Sequence, residues 1–383
     1  MHRRAFNSAT LGLLASAALL AGCMTMGRSG HDDHMGADTR AAAGGYPLAA
    51  SEPAGQPGIA ASGMRPVARN QAVIDALLRD LKLRPYHTLE PKYARQQPSF
   101  TDGVMRAMAN LGQPMPPPTD VTERAIQVGG AAGMLNARMF MPAGASGPLP
   151  VIVYFHGGGW VIANPDVYAP SARALAREAR AIVVSVDYRK APEYKFPAQH
   201  DDALAAYRWV AANAASLGGD PARLALAGES AGGNLAVATA MAARTAGLTQ
   251  PRHVLSIYPI AGTDMTTESY RENANAMPLN RALMAWFMHH TLASPAQALD
   301  PRLNLFQADL SGLPPVTIVA AQIDPLTSEG ELLTTRLRQL RVPVERREFP
   351  GVTHEFFGAA PLIPAATEAQ KWAGGRLRTA LAR

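Results

Sequence analysis

From residue 123 onward, short apolar runs alternate with longer stretches in which apolar residues recur every three or four positions. The short runs at 123–128, 135–141, 150–155, 181–186, 224–228, 253–258, 316–321 and 344–349 predict strands. One of them, Val151-Ile152-Val153-Tyr154-Phe155, is continuously apolar and predicts a strand buried on both faces. Helices are predicted over 171–180, 201–215, 231–243, 279–292 and 329–341. In the last of these, Leu333, Leu337 and Leu340 fall at i, i+4 and i+7. Such alternation predicts an α/β fold with a mostly parallel sheet covered by helices on both faces.

Upstream the pattern changes. Val73, Ile74, Leu77, Leu78 and Leu81 have helical spacing within 67–84, residues 101–111 predict a second short helix, and the proline cluster at 114–118 then breaks the chain. Residues 66–122 are therefore expected to form a helical cap region ahead of a catalytic domain at 123–383. Packing on the domain's flank is the simpler alternative. Residues 23–65 are rich in Gly, Ala, Ser, Pro and Asp and predict a flexible tether. Within that tether, His31-Asp32-Asp33-His34 brings ligand-type residues together without a fixed geometry, which points to solvated polarity rather than a metal site.

Residues 1–22 have the layout of an export signal. Arg3 and Arg4 precede a small, apolar run at 9–21, which is too short to span a bilayer, since spanning takes about 20 residues. The run ends in Leu19-Leu20-Ala21-Gly22-Cys23, which resembles the lipobox of bacterial lipoproteins. Cys23 is the chain's one cysteine, so an internal disulfide is excluded. The resemblance implies acylation of Cys23 and a lipid anchor in the cell envelope. Met24 after it implies the outer membrane, facing the periplasm. An ordinary cleaved signal with an incidental cysteine is the alternative.

The 383 residues are 48% hydrophobic and 17% charged, enough for one large core. The formal charge of +6 bears on solubility and loose association rather than on chemistry. The densest basic run, Arg336 to Arg347, reads as the solvated side of an amphipathic helix, and no nucleic-acid module is visible.

Chemistry enters with Gly228-Glu229-Ser230-Ala231-Gly232. This G-x-S-x-G match lies between the predicted strand 224–228 and the predicted helix 231–243. A serine on a sharp strand-to-helix turn holds its hydroxyl out of the sheet, but it needs a base, and the base needs an orienting carboxylate. Asp324 directly follows the strand 316–321 region, and His354 follows the strand 344–349. Of ten histidines, His354 alone is C-terminal to Asp324, whereas His253 and the pair His289-His290 read as structural. Acyl transfer also needs fixed donors for an oxyanion, and His156-Gly157-Gly158-Gly159-Trp160 follows the strand 150–155. A phosphate loop is the competing reading of those glycines, but no Lys-Ser/Thr ending follows.

Together, HGGGW at 156–160, DYRKAPEYKFPAQHDD at 187–202, GESAG at 228–232, DPL at 324–326 and His354 resemble the hormone-sensitive-lipase family of α/β-hydrolases. LEPKYARQQPSFTDGV at 89–104 resembles the cap region of its bacterial members, and the likeness spans roughly residues 67 to 360. The resemblance implies an α/β-hydrolase fold and the triad Ser230, Asp324 and His354, with oxyanion donors at Gly158, Gly159 and Ala231. It implies a loop-orienting role for His156 beside Gly157 and a structural role for Glu193 near the oxyanion loop. Trp160 is a candidate for the pocket lining, although a place in the core is the commoner reading of a Trp. Three residues depart from the family pattern: Glu229 where Asp is common, Lys190 for a usual Leu, and Glu355 for a usual Gly. Glu229 is expected to keep the hydrogen-bonding role of that Asp.

The expected activity is hydrolysis of short- to medium-chain carboxylic esters through an acyl-enzyme, on small-molecule esters and without metal or organic cofactor. Two alternatives remain open at this point. One is amide or arylformamide cleavage on the same triad, because HGGGW also resembles the arylformamidase motif. The other is a non-catalytic envelope lipoprotein that binds a ligand through a hydrolase-like fold.

Overall fold

The computed structural model describes residues 63–115 and 118–382. The signal-type segment, Cys23, the His31–His34 group and most of the tether lie outside these residues.

Eight strands form one sheet: β1 (Val121–Gly130), β2 (Gly133–Pro142), β3 (Leu149–Phe155), β4 (Ile182–Val186), β5 (Gly219–Glu229), β6 (Val254–Ile257), β7 (Val316–Ile323) and β8 (Val344–Thr353). Their order is β1-β2-β4-β3-β5-β6-β7-β8. β2 runs antiparallel to β1 and β4, and the remaining neighbours are parallel. The helices are α1 (Ala68–Asp75), α2 (Pro91–Ala94), α3 (Phe100–Asn110), α4 (Ala169–Ala179), α5 (Ala198–Asn213), α6 (Ala231–Thr245), α7 (Glu268–Glu272), α8 (Arg281–Thr291), α9 (Thr327–Gln339) and α10 (Pro364–Leu381).

The continuous apolar run of β3 is buried on both faces, and its alternation splits the core in two. Val151, Val153 and Phe155 join one cluster with residues of α5, α6 and α9. Ile152 and Tyr154 join the other, with residues of α4 and α10. Each such aliphatic or aromatic side chain, removed from water, contributes about 1.5–3 kcal/mol. β8 runs four residues beyond the predicted end. A register shift between Ala321 and Ile323 carries the pairing on to Ile323 and Thr353, and so delivers the chain directly to His354.

Two parts of the helical layer differ from the sequence expectation. The helix predicted over 67–84 is α1 followed by a π-helical stretch at Ala76–Asp80, and Val73, Ile74 and Leu77 are buried across the change. α10 was not predicted at all. Its buried stripe is Ala366, Ala369, Ala373, Leu377 and Leu381, and alanines give a weak apolar signal beside their polar neighbours. α3, by contrast, begins on a readable signal: Ser99 and Asp102 form a capping box.

Candidate active site

β5 ends at Glu229 and α6 begins at Ala231, so Ser230 alone makes the turn. Its backbone has φ 57 and ψ −118, a conformation that costs about 1–3 kcal/mol and persists only when the surroundings enforce it. The enforcement is visible. Ser230 N–H donates to the Ile257 carbonyl at 2.8 Å, and the Ser230 carbonyl accepts from Asn234 at 3.1 Å and Ile260 at 3.2 Å. A Cβ on Gly232 would stand 1.9 Å from the Phe155 carbonyl oxygen, so only glycine lets α6 approach β3 this closely. The α6 N-terminus, at buried Ala231, favours negative charge beside the serine.

β7 and β8 are neighbours, and each hands one residue to the site from its C-terminal end. Asp324 follows β7 and His354 follows β8, and both are buried. His354 Nδ1 donates to Asp324 Oδ2 at 2.6 Å, while Asp324 Oδ1 accepts the Leu326 N–H at 2.9 Å. The carboxylate therefore keeps the proton on Nδ1 and leaves Nε2 as the basic atom. Burial by itself lowers the imidazole pKa, but the charge and hydrogen bond of Asp324 outweigh it and hold His354 above its ordinary value of 6.5. Asn70 of α1 fixes the preceding residue, since Thr353 N–H donates to Asn70 Oδ1 at 2.9 Å and Asn70 Nδ2 donates to Thr353 Oγ1 at 2.9 Å. The Tyr258 ring packs 4.6 Å from the imidazole.

The third component is the loop after β3. Gly158 has φ 94 and Gly159 has φ 57, a left-handed backbone that turns the chain sharply in front of the serine. Val161 and Ile162 N–H both donate to the Gly158 carbonyl, at 3.0 and 2.9 Å. A Cβ on Gly158 would meet the Ile162 carbonyl oxygen at 2.4 Å, and one on Gly159 would meet the Phe287 ring at 2.1 Å. His156 anchors the loop. It is fully buried and stacks on Tyr188 at 4.3 Å, and its Nδ1 donates to the Gly157 carbonyl at 2.7 Å. Burial holds its pKa below the ordinary value, so it stays neutral. Ser230, Gly158, Gly159 and His354 all line one cavity.

The supporting residues resolve as follows. Glu193 accepts two hydrogen bonds from Arg95, at 2.8 and 2.7 Å. The same guanidinium donates to the carbonyls of Val161 at 2.8 Å and Ala191 at 2.7 Å, so Glu193 steadies an arginine that ties the α2 end to the glycine loop. Glu229 is buried and accepts from the hydroxyls of Tyr154 and Tyr258. Its carboxyl is pushed up by burial. Trp160 takes the core placement and not the pocket one. It is fully buried, its ring faces His200 at 6.0 Å, and it takes no part in the cavity wall. Its backbone is left-handed, with φ 62. The wall is built instead from the N-terminal segment (Leu77, Leu83, Tyr86, Phe100) and from Leu279, Leu283 and Phe287 around α8. His253 donates to or accepts from Thr317 Oγ1 at 2.9 Å within the core, a structural placement.

Arg95, Asn70, Tyr168 and Phe287 were not singled out by the sequence. Each acts through a contact far along the chain, and no local pattern marks it. Among the described residues, no three His, Cys, Asp or Glu side chains gather as a metal site, and no helix is long and apolar enough to cross a membrane.

The geometry agrees with comparisons against known proteins. A family model described as an α/β-hydrolase fold matches residues 152–358. The chain is 42% identical over 276 residues to a carboxylesterase, NlhH, of Mycobacterium tuberculosis, covering 70% of this chain and 86% of that protein. It is 32% identical over 297 residues to an ethyl acetate hydrolase of Pseudomonas putida, covering 75% and 89% of the two chains. Among solved structures, a thermostable esterase from Pseudomonas putida superposes with a TM-score of 0.74 at 30% identity, over 86% of this chain and 99% of that one. With its parallel sheet and its serine turn after β5, the chain belongs to the hormone-sensitive-lipase-like family of α/β-hydrolases.

Proposed function

We propose that the protein is a serine carboxylesterase acting on short- to medium-chain esters. Ser230 Oγ attacks the ester carbonyl, and His354 Nε2 takes its proton and returns it to the departing alcohol. Asp324 keeps the imidazole in the required tautomer and stabilises the imidazolium as it forms. The N–H groups of Gly158, Gly159 and Ala231 receive the oxyanion, where one donor is worth about 3–4 kcal/mol. Water, deprotonated by His354, then releases the acyl group and restores the serine. The observation that carries this reading is the 2.6 Å Asp324–His354 bond at the wall of a cavity that also holds the strained Ser230 turn and the two left-handed glycines. Esterase relatives named for carboxylesters and ethyl acetate support the ester class. A narrow cavity of about 60 Å3, walled by Phe100, Leu279, Leu283 and Phe287, supports short acyl chains. Long chains would require the capping segment to move.

We further propose that Cys23 anchors the enzyme in the cell envelope, on the strength of its lipobox-like setting. Retention of activity in a detergent phase by the wild type but not by Cys23→Ala tests the anchor. Hydrolysis of p-nitrophenyl esters from acetate to palmitate tests the enzyme, with Ser230→Ala alongside. Serine-dependent turnover that is highest for the short esters is expected. Equal activity in Ser230→Ala would overturn the mechanism, and a maximum at palmitate would overturn the chain-length assignment.

A further inference from the structure

The residue after His354 carries a carboxyl that the hydrolytic steps do not use. Glu355 has φ 67 and ψ 5, a left-handed backbone that disfavours any residue with a Cβ. Its side chain lines the same cavity as Ser230 and His354. The Tyr168 hydroxyl donates to Glu355 Oε1 at 3.0 Å, and that hydroxyl lies against the oxyanion loop, where a Cβ on Gly157 would stand 2.3 Å from it. Glu355 is thus held in place between the loop of the base and the loop of the glycines.

The other charged groups of the wall are already committed. Arg95 is paired with Glu193, and His354 with Asp324. Glu355 has no ion-pair partner among the described residues, and the cavity it lines is largely apolar, with Leu77, Phe100, Leu279 and Phe287 beside the polar Gln97 and Ser99. Burial pushes its carboxyl up, against the opposing pull of His354 and the Tyr168 hydrogen bond. A carboxyl in an apolar cavity is costly unless a donor reaches it. A strained backbone and an incompletely matched carboxyl, both one residue from the base, mark a place where a substrate group completes the hydrogen bonding.

We propose that Glu355 is a specificity-determining residue, whose carboxyl accepts a hydrogen bond from a hydroxyl or ammonium group carried by the ester. The inference rests on the ester-hydrolase reading above and adds the substrate class: esters of polar, donor-bearing acids or alcohols, preferred over alkyl esters of equal length. Esters with a second carboxylate are disfavoured, because a carboxylate brings only acceptors to Glu355 and no donor.

The test compares kcat/KM for four esters in the full chain: ethyl propionate, ethyl lactate (donor in the acyl half), glycol monopropionate (donor in the alcohol half) and monoethyl succinate (anionic). Each is measured in wild type, Glu355→Gln and Glu355→Gly. Glutamine keeps the size, and glycine relieves the backbone. All values are read relative to ethyl propionate in the same variant, so a general loss of activity cancels. The expected result is a relative preference for at least one hydroxyl ester that falls about tenfold in Glu355→Gly and by less in Glu355→Gln, whose amide oxygen still accepts, with monoethyl succinate rising. Unchanged ratios in both variants overturn the proposal and leave Glu355 as a strut for Tyr168. Calorimetric titration of Ser230→Ala and of Ser230→Ala/Glu355→Gly with the same esters needs no turnover. A binding preference lost with Glu355 supports the site even where hydrolysis fails, and equal binding by both proteins overturns the site while leaving ester hydrolysis intact.

Discussion

Gly159→Ala perturbs the oxyanion loop in two ways that add. At φ 57 a Cβ costs about 1–2 kcal/mol, because a left-handed backbone crowds it against the following carbonyl. That Cβ would also stand 2.1 Å from Phe287 Cγ and within 2.4 Å of both Cδ atoms. Phe287 is 4% exposed and packs edge-on against Trp286, so its ring can yield only toward the cavity that it walls. Overpacking of this kind costs about 1–3 kcal/mol, which brings the total to roughly 2–5 kcal/mol. If the loop yields instead of the ring, the Gly158 and Gly159 N–H groups move from the place the proposed mechanism gives them, and losing one oxyanion donor lowers kcat by about 10²–10³. The expected outcome is a lower thermal midpoint by circular dichroism and a fall in kcat for p-nitrophenyl acetate that exceeds any rise in KM. Phe287→Ala on its own leaves a cavity costing about 3–5 kcal/mol. Combined with Gly159→Ala, it removes the collision, so the double variant should be less impaired than the two losses added, by a coupling of about 1–3 kcal/mol. Strict additivity, or wild-type kcat in Gly159→Ala, would refute both the packing argument and the place of this loop in catalysis.

Asp324→Asn is expected to reduce kcat by about 10⁴, because the amide no longer fixes the Nδ1 proton. Since Asp324 raises the His354 pKa against burial, the wild-type kcat/KM should climb with pH through a midpoint above 6.5, and that midpoint should move down in Asp324→Asn. An unmoved midpoint would place another group on the acid limb. Glu329 is buried, accepts the N–H groups of Ala261 at 2.6 Å and Gly262 at 2.8 Å, and has its carboxyl pushed up to about 8 by burial. Between about pH 4.5 and 8 the folded state holds a proton that the unfolded state has released, so this group makes stability fall as pH rises. Glu329→Gln can still accept both N–H groups, so its thermal midpoint should drop less between pH 5 and 8 than that of wild type. Parallel curves would argue against a protonated Glu329. Asn70→Ala removes the acceptor of the buried Thr353 N–H and should cost about 1–3 kcal/mol in urea unfolding; no loss would show that α1 does not hold the base's loop.

The apolar runs were legible because a strand buried on both faces leaves little choice of residue. Val151 to Phe155 and Leu224 to Gly228 therefore stand out without any partner being known. Gly228-Glu229-Ser230-Ala231-Gly232 was legible for a related reason. The turn excludes side chains at positions 228 and 232, so the glycines are written into the sequence at fixed spacing. The alanine stripe of α10 was not legible, because its burial depends on α4 across the gap and not on its own hydrophobicity. For Trp160 the sequence left pocket and core both open, because a position beside the glycines suits either, and the structure buries it fully.

The residues that departed from the family pattern carry most of what is particular to this site. Glu229 and Glu355 both lie close enough to His354 for their charges to raise its pKa, alongside the larger effect of Asp324. In the proposed mechanism the imidazole gains a proton as the serine attacks, so a negative charge held beside it would favour that moment over the resting state, whichever ester is bound. The two carboxyls are treated differently, however. Glu229 receives two tyrosine hydroxyls and is sealed at 1% exposure, whereas Glu355 receives one and opens on the cavity. A sealed carboxyl can only act on the protein, by holding Tyr258 against the imidazole. An open one can also act on whatever enters. The same chemical group is therefore enclosed beneath the imidazole at position 229 and half-buried on the cavity wall at position 355, where only the second is within reach of a molecule in the cavity.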